Sequence, residues 1–206
     1  MPARPVRPRD AASLIIVDRQ AGGPRVLLGR RAKQHRSFPD VFVFPGGTLD
    51  AADRTIEPLT ELTHEQAARL PGKPAQSRAL AVAAVRETFE ETGLVFGERD
   101  GEDSFRPALD RLAVVARAIT PPQSPRRFHA RFFIADAEDA SGTLRGNGEL
   151  LDLDWIPIEK ALHLPIIDVT EFVLGHVLAL ERGEIPPLGP LPLFHYRGGR
   201  ARIRHG

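Results

Sequence analysis

The period of the apolar positions changes several times along the chain, and each change predicts an element. Leu14-Ile15-Ile16-Val17 and Val26-Leu27-Leu28 are unbroken apolar runs too short for helices, with Ala21-Gly22-Gly23-Pro24 between them. They predict two buried strands joined by a turn. Val41 to Phe44 is a shorter apolar run leading into Pro45-Gly46-Gly47. From Ser77 to Thr92 the period becomes helical. Ser77 can cap the start, Ala79, Ala81, Ala83 and Ala84 are strong helix formers, and Gly93 stands where a left-handed residue ends a helix. Stepping about 100° per residue, Val82, Val85 and Phe89 fall opposite Glu87, Glu90 and Glu91. One face can therefore pack on a sheet while the other faces a cleft.

Further along, Leu112 to Ile119 and Phe128 to Ala135 read as strands joined by a Pro-rich loop, and Leu151 to Ile156 alternates as a half-buried strand should. Asp168 can cap a helix whose stripe is Val169, Phe172, Val173, His176, Val177 and Leu180, with Gly183 as its stop. Between the Gly-Gly turn and the acidic helix, Thr63-His64-Glu65-Gln66 fits a capping box and Pro71-Gly72 ends the short helix it starts. The mixture of strands and helices suits a sheet packed between helices. The expected organisation is a flexible N-terminal tail over 1–10, one domain over 11–184 carrying an insertion at about 51–77, and an extended C-terminal tail over 185–206. The insertion reads equally as a substrate lid or dimer contact and as a surface excursion.

Composition narrows the chemistry. The chain has 206 residues, enough for one domain with a sizeable core, and 42% hydrophobic and 27% charged residues are ordinary for a globular protein. A net charge of +1 gives no general field that would select nucleic acid or a membrane surface. With no cysteine there is no disulfide, thiolate nucleophile or Cys-based zinc site, and the seven histidines show no metal-ligand spacing. No apolar run approaches the length of a membrane span, no secretory h-region follows the Arg- and Pro-rich start, and no peroxisomal tripeptide ends the chain. A cytoplasmic location is the expectation.

Against that plain background, Glu87, Glu90 and Glu91 stand out. Their i, i+3, i+4 spacing puts three carboxylates on one helix face, where like charges repel and add nothing to the helix itself. A divalent cation gives the arrangement a purpose, because magnesium prefers hard oxygen ligands and bridges carboxylates to substrate phosphates. A lone Glu-x-x-Glu-Glu would read as a solvated acidic face. The neighbouring Arg86, the Gly93-Leu94 stop and the Phe44-Pro45-Gly46-Gly47 turn shift the reading to a site. Arg86 can hold Glu87 in position, and Gly46 and Gly47 let backbone groups approach a metal or phosphate.

These residues resemble the Nudix hydrolase family, whose box runs G-x5-E-x7-R-E-U-x-E-E-x-G-U with U a bulky aliphatic. Arg86, Glu87, Glu90, Glu91, Gly93 and Leu94 match its second half, with Thr88 where an aliphatic is usual. Gly47 would be the leading glycine, but about 25 extra residues separate it from Arg86. The first glutamate of the box has no clean counterpart: Asp50 and Asp53 lie at the near end of the insertion, and Arg78 occupies the position eight before Arg86. Upstream, Leu27-Leu28-Gly29-Arg30-Arg31-Ala32, then Arg36, Asp40 and Phe44-Pro45-Gly46-Gly47, is similar to the extra motif of coenzyme A diphosphatases, LLTxR(S/A)x3Rx3Gx3FPGG. Thr120-Pro121-Pro122 and Pro125-Arg126-Arg127-Phe128 also fit the peroxisomal-type acyl-CoA branch.

The resemblance implies an α/β/α sandwich with a mixed sheet and Mg²⁺- or Mn²⁺-dependent hydrolysis of a diphosphate linkage. It casts Glu87, Glu90, Glu91 and the Gly46 carbonyl as metal ligands, and Glu87 or Glu149 as the group that accepts a proton from water. Arg31, Arg36, Gly47, Arg126 and Arg127, with Arg30, are the expected substrate contacts, arginine forks being suited to phosphate. Phe128, Phe132 and Phe133 read as core packing or as the lining of an adenine or acyl pocket. The leading substrate is CoA or acyl-CoA, with ADP-ribose, NADH or a nucleotide sugar as alternatives and a non-cleaving nucleotide sensor as a third reading. Many relatives are dimers, so a homodimer is a further expectation.

Overall fold

The structure, a computed structural model, describes residues 6–20, 22–34, 38–101 and 104–205. The chain runs β1 (Arg9–Asp18), β2 (Arg25–Arg31), β3 (Phe42–Val43), β4 (Gly46–Thr48), α1 (His64–Arg69), α2 (Pro74–Thr92), β5 (Leu94–Val95), β6 (Gly97–Arg99) and β7 (Phe105–Pro107). It continues through β8 (Ala113–Ile119), β9 (Phe128–Asp136), β10 (Ser141–Gly142), β11 (Leu150–Pro157), α3 (Ile158–Ala161), α4 (Asp168–Glu181), β12 (Pro192–Arg197) and β13 (Arg200–His205). The main sheet has the order β11-β2-β1-β9-β8-β12-β13, with β3 added beside β2 and β4 beside β1. It is mixed: β1 is antiparallel to β2 and β4 but parallel to β9.

Alternation along β1 divides the core into two layers. Leu14 and Ile16 face one side, where α2 covers them; Ile15 and Val17 face the other with Val173, Leu174 and Val177 of α4. The result is the expected α/β/α sandwich. Among the described residues no helix is long and apolar enough to cross a membrane.

Four expectations change. The helix carrying the glutamates begins at Pro74, with Lys73 as its N-cap, so Ser77 lies inside it, buried, its hydroxyl directed to the Ala67 carbonyl at 3.4 Å. Proline suits a first helical position, where its missing N–H has no partner to lose. The start of the chain enters the sheet earlier than expected: Arg9 and Asp10 already belong to β1 and pair with Phe128 and His129. The final segment is not a simple extended tail, since β12 and β13 form a hairpin that adds two strands to the sheet.

The insertion is part of the core rather than an excursion. Its Leu62 and Leu70 are buried in the same cluster as Val82 and Val85, with Ile56 packed against it. Burying each leucine contributes roughly 1.5–3 kcal/mol. Consequently α2 is covered on more than one side: Ala79 through Val85 are all at most 1% exposed. Gly93 closes α2 at φ +73, its amide donating to the Phe89 carbonyl, in the left-handed role the sequence suggested.

Candidate active site

The Pro45-Gly46-Gly47 turn and the second half of α2 meet at one place. β4 pairs with β1, placing Gly46 opposite Ser13 and Gly47 opposite Ala12, and α2 lies across both strands. The Gly46 amide donates to Glu91 Oε2 at 2.8 Å, with Gly46 itself at φ +151. A Cβ at Gly47 would stand 2.3 Å from the Glu87 carboxyl carbon. Glycine is required there because only its backbone can come that close to the carboxylate. The two glycines thus seat two carboxylates from adjoining turns of the helix.

Arg86 organises the ground beside them. Its Nε donates to Asp53 Oδ1 at 2.7 Å and its Nη2 to Asp53 Oδ2 at 3.2 Å and to the Thr48 carbonyl at 3.2 Å. Its Nη1 lies 3.0 Å from both Glu87 Oε1 and Glu90 Oε2. Asp53 is fully buried and also accepts from the Asp50 amide at 2.8 Å. Burial alone would lower the Arg86 pKa, yet the Asp53 hydrogen bonds and the charges of Glu87, Asp53 and Glu90 hold it above the usual arginine value.

Asp53 corrects the expectation that the first acid of the box lacks a counterpart. It stands six positions after Gly47, the box spacing counted forward from the glycine. Counting back from Arg86 crosses the insertion and lands on Arg78, which instead binds Glu57 and Glu61 of the insertion at 3.1 and 3.0 Å. The forward spacing was the available signal.

The electrostatics of the pair suit a cation. Burial pushes the Glu87 carboxyl up to about 7 against the pull of Arg86, with Glu90 and Asp50 adding to the rise. Burial likewise pushes Glu91 up to about 8 against the Gly46 amide and Arg31, with Glu87 and Glu149 adding. A buried and a half-buried carboxylate that repel one another gain from a nearby positive ion, and their hard oxygen donors fit Mg²⁺ or Mn²⁺. Among the described residues no group of three or more carboxylate or imidazole side chains is gathered closely enough to hold an ion by itself. Glu87 and Glu91 sit together at the turn, while the partly exposed Glu90 is bonded to Arg86.

The remaining expected residues divide. Arg31 lies near the acids: burial lowers its pKa while Glu91 and Glu149 oppose the fall. Glu149 is exposed, its backbone tied by the Ala32 amide donating to its carbonyl at 3.1 Å, which keeps it beside β2 and within the field of Glu91. Arg30 is committed elsewhere, to Asp40 and to Asp152 at 2.6 Å. Arg36 lies outside the described residues. Arg127 is not brought to the acids. It donates to the Val6 carbonyl at 2.7 Å and to the Thr120 carbonyl at 3.4 Å. It also precedes Arg131, the strand neighbour of Ala12, by four residues, or about 13 Å of extended chain. Arg126 is exposed beside it. Phe132 and Phe133 are buried in the two core layers.

A protein-family model described as NUDIX domain matches residues 7–172. A crystal structure of a NUDIX hydrolase from Alicyclobacillus acidocaldarius is similar with TM-score 0.66 and 28% identity, covering 88% of this chain and 93% of that one. The NUDIX domain of Shewanella oneidensis NrtR, solved with ADP ribose, shares the fold at TM-score 0.55 and 11% identity, covering 85% and 89%. A Caenorhabditis elegans protein carrying the name nudix hydrolase 7 is 25% identical over 172 residues, 72% of this chain. The chain spans about half the length of that curated relative, 51%.

Proposed function

The chain belongs to the Nudix family, and from that premise we propose that it is a metal-dependent hydrolase of a diphosphate linkage, with CoA or acyl-CoA as its substrate. The products are an adenosine bisphosphate and (acyl-)phosphopantetheine. The observation that carries the hydrolase reading is the seating of Glu87 and Glu91 against the Gly46-Gly47 turn, with Arg86 and buried Asp53 fixed behind them. The CoA reading is supported by the Leu27 to Gly47 motif, whose Arg31 lies near the acidic pair.

Glu87, Glu91 and the Gly46 carbonyl would hold the ion, with Glu90 as a further ligand. A divalent cation there offsets charge on the diphosphate oxygens and makes a water more acidic. The chain's own residues do the rest. Arg86 keeps the carboxylates in place, and the half-buried Arg31 stands near enough to the acids to contact a phosphate held there. Glu149 and Glu87 are the two groups that can take a proton from water, and Glu149, exposed at the edge of the site, has the freer approach.

The test is a panel of CoA, acetyl-CoA, ADP-ribose, NADH and a nucleotide sugar with Mg²⁺ or Mn²⁺, followed by product identification. The expected result is cleavage of CoA with release of adenosine 3′,5′-bisphosphate. Cleavage confined to ADP-ribose or nucleotide sugars overturns the CoA reading, and cleavage of none of them with either ion overturns the hydrolase reading.

A further inference from the structure

A cavity of about 1020 Å³ lies at the C-terminal end of α2, bordered by Phe89, Glu90 and Gly93. That is the size of a nucleotide-binding site. Three chain segments enclose it, and each is tied down. The insertion supplies Ile56 and Glu57, and it is anchored by Arg78 on Glu57 at 3.1 Å and by the Leu109 amide donating to Thr60 Oγ1 at 3.1 Å. The β6–β7 hairpin supplies Phe105 and Arg106. The loop after β10 supplies Arg145, whose amide donates to the Thr92 carbonyl at 2.8 Å and whose side chain lies over Gly93.

Carboxylates and arginines both line this cavity: Glu57 is held by Arg78 at 3.1 Å, Glu90 by Arg86 at 3.0 Å, and Asp100 follows β6 in the β6–β7 hairpin. Arg86 lines it but is already engaged by Asp53, Glu87 and Glu90. Arg106 and Arg145 also line it, and among the described residues neither has a carboxylate partner. An apolar wall lies alongside: the Phe89 and Phe105 rings are 5.0 Å apart, and the Arg99 guanidinium is 5.5 Å from the Phe89 centroid.

We propose that this cavity holds the nucleoside arm of the substrate, and that Arg106 and Arg145 grip a phosphomonoester on that nucleoside, separate from the diphosphate that is cut. The inference rests on the hydrolase reading above and narrows its substrate class. The charge inventory gives the reason. A diphosphate beside Glu87 and Glu91 has the cation as its counter-charge, and Arg86 is already neutralised. With Glu57 and Glu90 taken up by Arg78 and Arg86, Arg106 and Arg145 outnumber the remaining lining carboxylate, Asp100, and their forked donors suit a further phosphate. The two phenyl rings, tilted by 56° to one another, offer an aromatic base an apolar wall. A nucleoside carrying only the diphosphate would leave both arginines without an anion.

Titration calorimetry in Mg²⁺ with adenosine 3′,5′-bisphosphate and with AMP, neither of which contains a diphosphate to cleave, tests this directly. The wild-type chain should bind the bisphosphate about tenfold or more tighter than AMP. Arg106→Ala and Arg145→Ala, both at exposed positions that tolerate truncation, should each erode that preference and together abolish it, with AMP binding unchanged. In turnover, the double variant should raise KM for CoA about tenfold at near-constant kcat and leave ADP-ribose kinetics unaltered. Equal wild-type affinity for the two nucleotides, or a preference that survives the double substitution, overturns the proposal. Absence of any diphosphate cleavage overturns the hydrolase reading instead, and the titration still decides the anion site.

Discussion

Arg86 Nε donates to Asp53 Oδ1 at 2.7 Å, joining the acidic helix to the start of the insertion across 33 residues of sequence. The side chain of Asp53 is fully buried and that of Arg86 is 15% exposed. A buried ion pair is weak support for stability on its own terms, but removing one partner strands the other. Asp53→Asn should therefore destabilise the fold by about 3 kcal/mol. Released from Asp53, Arg86 would no longer be fixed where its Nη1 holds Glu87 and Glu90, so turnover should fall as well. Denaturant unfolding and steady-state kinetics on the same preparation check both effects; unchanged values would show that the pair is ornamental.

Gly47 and Gly175 make a contrasting pair. A methyl group at Gly47 would collide with the Glu87 carboxylate at 2.3 Å, whereas one at Gly175, exposed within α4, meets nothing within 4 Å. Gly47→Ala should displace Glu87 and lower kcat by a factor of about ten to one hundred, the scale of disturbed metal-site support. Gly175→Ala should leave activity alone and stabilise the protein by roughly 1 kcal/mol through helix propensity. Equal behaviour of the two variants would contradict the close seating of Glu87.

Truncating the acids themselves is the severer test. Glu91→Gln keeps the shape but removes a charge from a carboxyl that is 7% exposed. Turnover should drop by more than about one hundredfold, beyond the loss expected for outlying support. Glu90→Gln should also lower turnover by orders of magnitude with the fold intact; wild-type rates in that variant would rule out its place in the metal site.

The same carboxyls predict a pH dependence. Glu87 and Glu91 titrate at about 7 and about 8 rather than at 4.5, chiefly because they are buried. Over that interval the folded chain keeps protons that the unfolded chain has released, so the metal-free protein loses stability as pH rises from 4.5 through 8. A cation competes with those protons and should stabilise more as pH rises. Melts in chelator and in Mg²⁺ at about pH 6 and about pH 8.5 should show the Tm gap widening. A gap that narrows would contradict the assignment.

His129 has the opposite sign. Burial and the charges of Arg131 and Arg117, opposed by Asp10, lower it from 6.5 to about 4. The unfolded chain takes up this proton first, so stability falls as pH drops from 6.5 to 4. An NMR titration of the folded protein should find the His129 midpoint near 4, and His129→Gln should flatten the acid limb of the stability curve.

Much of the site was legible because its spacing is local. A helix repeats every 3.6 residues, so the positions of Glu87, Glu90 and Glu91 on one face and the stop at Gly93 follow from the chain itself. The apolar runs at residues 14–17 and 26–28 gave buried strands for the same reason. The role of the insertion was not legible. Leu62 and Leu70 carry no sign of which surface they cover, and only packing on α2 gives them one.

What the chain determined by itself is the set of donors: two glycines at a turn, three carboxylates on a helix face, an arginine among them. What only the tertiary structure decided is which distant groups join them. Asp53 rather than Arg78 serves Arg86, Arg31 reaches the acids while Arg127 does not, and Arg106 and Arg145 come to share one cavity. The physical reason is that side-chain spacing within a helix is fixed by backbone geometry. Meetings between elements depend instead on strand register and on the closure of long loops, which no single segment encodes.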